Sequence, residues 1–368
     1  MPANISSSAN RDPNRSRIVR ESGKISWRSP SNIALVKYWG KSPGQIPSSP
    51  SISMTLSESV SEVSIGYRVS GVRRGVEVEF EFEGEKNLKF EQRFLGYLHS
   101  LLDSGHLVLP GNIQLQISSH NSFPHSAGIA SSASGFSALA LGLVTMENEI
   151  FGKSLTGGLL LRKSAILARL GSGSATRSLY GGFVTWGKST EYKQSFDEYG
   201  QPLSIPVHPD FQQLRDAILI VSSKEKSVSS SHGHALMMQH PYAESRFAQA
   251  DSNFIGLIRA LGNGNRESFT DITEHEALSL HALMMSSKPG FILMHPNTIR
   301  IIEKMRSFRQ ATGSFVCFTL DAGPNIHLIY PGELETEVKQ FINDELLAFC
   351  EEGRWIDDRI GDGPVRLA

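Results

Sequence analysis

Phe123-Pro124-His125-Ser126-Ala127-Gly128-Ile129-Ala130-Ser131-Ser132-Ala133-Ser134-Gly135 is the stretch on which the reading of this chain turns. Small residues and hydroxyls are concentrated between an extended segment, 112–118, and a segment of helical spacing, 136–146. Gly128 lets backbone come close to a ligand, the serines offer hydroxyl donors, and the free N–H groups of a first helical turn point at whatever sits there. An anion suits such a place, phosphate above all. The order of residues is neither Gly-x-x-x-x-Gly-Lys-Ser/Thr nor Gly-x-Gly-x-x-Gly. The same residues also suit a Ser/Ala-rich cap on a tightly packed helix, so the stretch alone leaves both readings open.

On either side, strand and helix signals mix without regular alternation. Period-two patterns mark 51–56, 60–67 and 71–82, where Val76, Val78, Phe80 and Phe82 alternate with Glu77, Glu79 and Glu81. An extended entry at 25–37 precedes them. Helical spacing marks 87–102, 155–170, 242–261, 266–286, 298–312 and 334–349, and apolar strands are expected at 183–186, 217–221, 315–320 and 326–330. Two more hydroxyl-rich loops fall at 171–182 and 227–234. This irregular mixture predicts an α+β fold with antiparallel pairing, and the polar run 192–209, with Gly200, Pro202 and Pro206, reads as the junction of two halves.

The chain has 368 residues, enough for about two domains. Hydrophobic residues make up 39% and charged residues 20%, with a formal net charge of −1, so the overall balance does not direct it to nucleic acid or to an anionic membrane. Binding of anions must be local. Two cysteines, Cys317 and Cys350, do not form a disulfide framework and suit a reducing, cytoplasmic setting. Arg11, Arg15, Arg17 and Arg20 sit in a polar leader without an apolar core of signal-peptide length. Twelve histidines invite a metal reading, but His275 and His281 are six apart and do not project to one point, and His232, His234 and His240 show no ligand spacing, so no protein metal site is expected.

Four clusters carry the chemistry: Asn32-Ile33-Ala34-Leu35-Val36-Lys37-Tyr38-Trp39-Gly40-Lys41, the loop quoted above, Gly171-Ser172-Gly173-Ser174-Ala175-Thr176-Arg177-Ser178, and Asp321-Ala322-Gly323-Pro324-Asn325. In this order and spacing the chain resembles the diphosphomevalonate decarboxylases, a family of the GHMP kinase superfamily, from about residue 27 to about residue 330. The resemblance implies a two-domain fold. Its N-terminal half is ribosomal-protein-S5-domain-2-like and its C-terminal half a ferredoxin-like α/β sandwich, with the active site in the cleft between them. Boundaries are expected at 1–24 for a flexible leader, 25–205 for the ATP-binding half and 206–368 for the second half.

The resemblance further implies ATP-dependent decarboxylation of mevalonate 5-diphosphate to isopentenyl diphosphate, with ATP and Mg2+ required. Asp321 is expected to orient or deprotonate the tertiary 3-hydroxyl, Lys37 to lie near the transferred phosphoryl group, and Arg177 to fork onto the substrate carboxylate. Tyr38, Lys41, Ser172, Ser174 and Ser230 are expected at the substrate. Asn121, Gly128, Ser131, Ser132 and Ser134 are expected at ATP, with Mg2+ held mainly by phosphate oxygens. The family also suggests a homodimer.

The chain departs from the family pattern at Ser42-Pro43, where Arg-Asp is common after the lysine, at Ser48-Ser49-Pro50-Ser51, at His125 and at Ser231, where an arginine often follows the serine. Two other readings therefore stand beside the first. One is a mevalonate 3-kinase or another phosphomevalonate-processing relative; the other is a catalytically silent homologue.

Overall fold

The computed structural model describes residues 17–70, 75–124, 131–224 and 228–368. In chain order the principal strands are β1 (Ser22–Val36), β2 (Ser51–Val69), β3 (Gly75–Phe82), β4 (Asn112–Asn121), β5 (Phe183–Trp186), β6 (Leu214–Leu219), β7 (Cys317–Thr319), β8 (Ile326–Pro331), β9 (Trp355–Arg359) and β10 (Val365–Arg366). The helices are α1 (Leu88–Asp103), α2 (Ser131–Phe151), α3 (Gly157–Gly171), α4 (Ser230–Met237), α5 (Ala243–Asn263), α6 (Arg266–Ser286), α7 (Pro296–Thr312) and α8 (Glu335–Phe341).

The first sheet runs β10-β1-β2-β4-β3, and β5 pairs with the far end of β2. The second runs β7-β8-β6-β9. Pairing among these strands is antiparallel except for β3 beside β4. Alternation explains the first sheet's two faces: Val63, Ile65 and Tyr67 of β2 and Ile113, Leu115 and Ile117 of β4 point into one core with α1, α2 and α3. A second core fills the space between the halves, where Ile33, Leu35, Ile52 and Met54 meet Phe211, Phe254 and Phe269. Phe211 stacks on Phe269 at 4.9 Å, and Phe315 meets both rings edge-on. Each such buried side chain stabilises the join by about 1.5–3 kcal/mol.

Several expectations change. Within the stretch 1–24 expected as a leader, β1 begins at Ser22, Val19 N donates to Ile150 O and Arg20 pairs with Glu149, so its last residues pack on the fold; residues 1–16 lie outside the described residues. The two strands expected at 51–56 and 60–67 are one. Pro30 faces Val60 but Asn32 faces Thr55, so β2 bulges at 56–59 instead of breaking. The bulge's three free amides, Ser57 N, Glu58 N and Ser59 N, all donate to the buried Asp358 carboxylate of β9 at 2.8 Å. The third hydroxyl-rich loop is largely α4, because the Ser229 hydroxyl accepts from His232 N and caps a helix. The long helix expected at 334–349 runs as α8, then one wide and one tight turn through Phe349. Residues 355–368, assigned no structure from the sequence, return to complete both sheets.

Candidate active site

A cavity of about 400 Å³ opens between the two halves. Its walls come from the chain after β1, the first turn of α2, the segment after α3, the start of α4 and the turn after β7. Lys37, Lys41, Arg93 and Arg177 line it, against the single carboxylate of Asp321 among the described lining residues. Such a surplus of cations in a partly dry cleft suits a multiply charged anion.

Lys37 emerges from β1 into the floor. It is buried, its Nζ donates to Ala34 O at 2.5 Å and lies 3.1 Å from Asp321 Oδ1. Burial lowers its pKa, against the opposing pull of the Asp321 charge. Asp321 is half-buried at the cavity wall, and its turn is closed by Gly323 N donating to the Asp321 carbonyl at 2.7 Å.

Arg177 lies in the 3₁₀-helical segment Gly173–Leu179 that follows α3. Its Nε donates to Asn32 Oδ1 at 3.2 Å and its Nη1 to Ser51 Oγ at 2.8 Å. Asn32 in turn donates to Ser178 Oγ at 2.8 Å and Ser174 O at 3.2 Å. The guanidinium is thus aimed by neutral acceptors and keeps its charge for a ligand. Burial lowers its pKa to about 10, opposed by Asp321 and then Tyr38. The β2 bulge opposite residues 30–32 is what sets Asn32 in this position.

Tyr38 packs edge-on to Trp186 at 4.6 Å and against His234 at 4.3 Å. Its hydroxyl is buried without a hydrogen-bond partner among the described residues, and burial raises its pKa. Gly173 is needed beside it, since a Cβ there would come within 2.7 Å of the Tyr38 hydroxyl and 2.9 Å of Trp186. His234 accepts from Gly40 N at 3.0 Å through Nδ1, and burial, followed by Lys41 and Arg177, pushes its pKa down to about 3. It stands as a neutral spacer. Lys41 donates to Gln45 Oε1 at 2.8 Å, with its pKa lowered by burial and then by Arg93.

The serines divide into two groups. Ser132 of α2 and Ser172 share a contact at 3.2 Å between their hydroxyls, and both line the cavity with Ser174. Ser134 is buried and exchanges a hydrogen bond with Ser61 at 2.7 Å; Ser61 donates to Asn121 Oδ1 at 2.6 Å. Ser134 and Asn121 therefore tie α2 to β2 and β4, away from the cavity lining. Ser131 opens α2, and its carbonyl accepts from Ser134 Oγ at 3.3 Å. Ser230 opens α4. Gly128 lies outside the described residues.

Sequence reasoning did not single out Arg93, Asn32 or His234 for roles. Asn32 lay in plain view inside a quoted cluster. Arg93 sits in α1 among other charges and is distinguished only by the fold, which brings it over the Phe136 ring at 4.8 Å and to the cavity. No cluster of three or more His, Cys, Asp or Glu suited to a metal ion occurs among the described residues.

Comparison with known proteins places this geometry. The diphosphomevalonate decarboxylase-like N-terminal domain matches residues 29–197, and the mevalonate 5-diphosphate decarboxylase C-terminal domain matches 217–357. Diphosphomevalonate decarboxylase of Aspergillus fumigatus is 31% identical over 327 residues, covering 84% of this chain and 77% of that protein. The Saccharomyces cerevisiae enzyme is 31% identical over 332 residues, covering 85% and 79%. Mevalonate diphosphate decarboxylase from Staphylococcus aureus superposes with a TM-score of 0.78 at 27% identity, covering 95% of this chain and 98% of that one. The structure of MDDEF in complex with MVAPP, AMPPCP and magnesium gives 0.78 at 25% identity, covering 94% and 99%. A GHMP kinase fold with its cationic cleft between the halves, matched along both halves by one set of relatives, makes this chain a member of the diphosphomevalonate decarboxylase family.

Proposed function

We propose that the cavity carries out the ATP-dependent decarboxylation of mevalonate 5-diphosphate to isopentenyl diphosphate, with Asp321 as the base. The observation that carries this reading is the Lys37–Asp321 pair, 3.1 Å apart, in which Asp321 is the one carboxylate among the described residues of an otherwise cationic cavity. The carboxylate takes the proton of the 3-hydroxyl, the oxygen attacks the γ-phosphorus of ATP, and the bond to ADP breaks. The C3–O bond then breaks to release phosphate. As it does, the electrons of the bond to the carboxyl carbon form the C2=C3 double bond and carbon dioxide leaves. Lys37 and Arg177 surround the charge that moves in these steps.

Arg177 holds the substrate carboxylate, while Tyr38, Lys41, Ser172, Ser174, Ser230 and Arg93 meet the diphosphate. Ser131 and Ser132, with Gly128, hold the ATP phosphates, and Ser134 and Asn121 fix the helix that presents them. Magnesium, when bound, would neutralise phosphate charge; the cavity offers serine hydroxyls in place of a carboxylate cage, which suits an ion that keeps its waters and leans on phosphate oxygens.

The same reading takes 25–205 and 206–368 as the two halves, supported by the separate matches to residues 29–197 and 217–357. It takes the protein as a homodimer, on the family resemblance, and as cytoplasmic, on its two buried free thiols. No helix among the described residues is long and apolar enough to cross a membrane.

The test is to incubate the protein with ATP, magnesium and mevalonate 5-diphosphate and to measure ADP, phosphate and carbon dioxide separately. Equal release of all three is expected. ADP without the other two would make the protein a kinase, and no turnover would remove this substrate.

A further inference from the structure

Helix α6 lies between the sheets, touching β1 on one side and β7 on the other. Two of its buried side chains reach the backbone of the two residues that meet at the cavity floor. Glu276 Oε2 accepts from Lys37 N at 2.8 Å. His281 Nε2 lies 3.0 Å from the Asp321 carbonyl oxygen, so the imidazole donates there. Glu276 is itself held from two sides: Arg246 of α5 donates to Oε1 at 2.7 Å and to Oε2 at 2.5 Å, and Asn253 Nδ2 donates to Oε1 at 2.6 Å. All of Lys37, Glu276, Arg246 and His281 are buried.

Lys37 follows β1 and Asp321 follows β7, strands of different sheets and different halves of the chain, so beyond their own 3.1 Å side-chain contact their backbones are placed by separate elements. We infer that Glu276 and His281 are positioning residues: α6 acts as one rigid bar that grips the Lys37 amide and the Asp321 carbonyl and so sets the spacing of the Lys37–Asp321 pair. This rests on the reading of that pair as the reacting site. A helix is suited to the task because side chains five residues apart on it are held by backbone hydrogen bonds, and a shift of about 1 Å in a reacting group can cost roughly 100-fold in rate.

The two amide side chains separate reach from bulk at residue 281. In His281→Gln the amide nitrogen falls near the place of Nε2 and can still donate to the Asp321 carbonyl. In His281→Asn it stops short, although both replacements are polar and smaller than or similar to imidazole. The experiment measures kcat and KM of both variants with ATP and mevalonate 5-diphosphate, alongside Asp321→Asn. His281→Asn should lower kcat roughly 10- to 100-fold with each KM within about threefold of the parent, and His281→Gln should recover most of the loss. Equal kcat values for the two variants, or a loss that appears in KM, would overturn the inference. Glu276→Gln extends the test to the other end: it keeps an acceptor for the Lys37 amide but leaves Arg246 without its anion, and it too should lower kcat rather than raise KM. If Asp321→Asn turned over normally, the underlying reading of the site would fail, whatever the His281 variants did.

Discussion

Tyr38 and His234 show how this site holds itself ready at a cost to the free protein. The Tyr38 hydroxyl is buried and has no partner among the described residues, and an unpaired hydroxyl of this kind costs about 1–3 kcal/mol. Tyr38→Phe should therefore leave stability unchanged or raise it by about 1 kcal/mol in urea unfolding, while raising KM for mevalonate 5-diphosphate about tenfold. A destabilised variant with normal KM would assign Tyr38 to packing alone. His234 has a folded pKa of about 3 against an ordinary 6.5. The unfolded chain binds the extra proton between those values, so stability is lost as pH falls through that window, at up to about 1.4 kcal/mol per pH unit. His234→Asn keeps an acceptor for Gly40 N and does not titrate. Urea titrations between pH 7 and pH 4.5 should show a shallower pH dependence for this variant than for the parent.

At the scale of elements, Asp358 joins the two sheets by accepting all three amides of the β2 bulge. Asp358→Ala leaves those donors unsatisfied in a buried place and should cost about 3–5 kcal/mol in chemical unfolding, and Asp358→Asn less, since it keeps one acceptor oxygen. A loss below about 1 kcal/mol for the alanine variant would mean that water replaces the carboxylate. This element also shows why the sequence was read only in part. Strands with an alternating apolar face, such as β3 and β4, and the long helix α6 announce themselves locally. Ser57-Glu58-Ser59 reads as a break, because the carboxylate that lets β2 continue lies about 300 residues further on. The same holds for β9 and β10: Trp-Ile-Asp-Asp-Arg carries no clean alternation, and its partner strand is β6.

Over the whole molecule, the fold gathers Lys37, Tyr38, Lys41, Ser132, Ser172, Ser174, Arg177 and Asp321 around one cavity. Their clustered, hydroxyl- and glycine-rich contexts made them legible from the sequence. Arg93 and His281 sit in ordinary amphipathic helices, and only the packing of distant elements gives them a place near the chemistry. Ser134 and Asn121 mark the opposite case, in which a hydroxyl and an amide beside the serine-rich stretch turn inward to hold the sheet. The proposed function rests on Asp321 as the base of a decarboxylation powered by ATP. The most direct measurement is the release of ADP, phosphate and carbon dioxide by Asp321→Asn at saturating ATP and mevalonate 5-diphosphate, with ATP binding measured on the same preparation. All three products should fall together by about 1,000-fold or more while ATP affinity stays within about threefold. Turnover within about tenfold of the parent protein would contradict the claim.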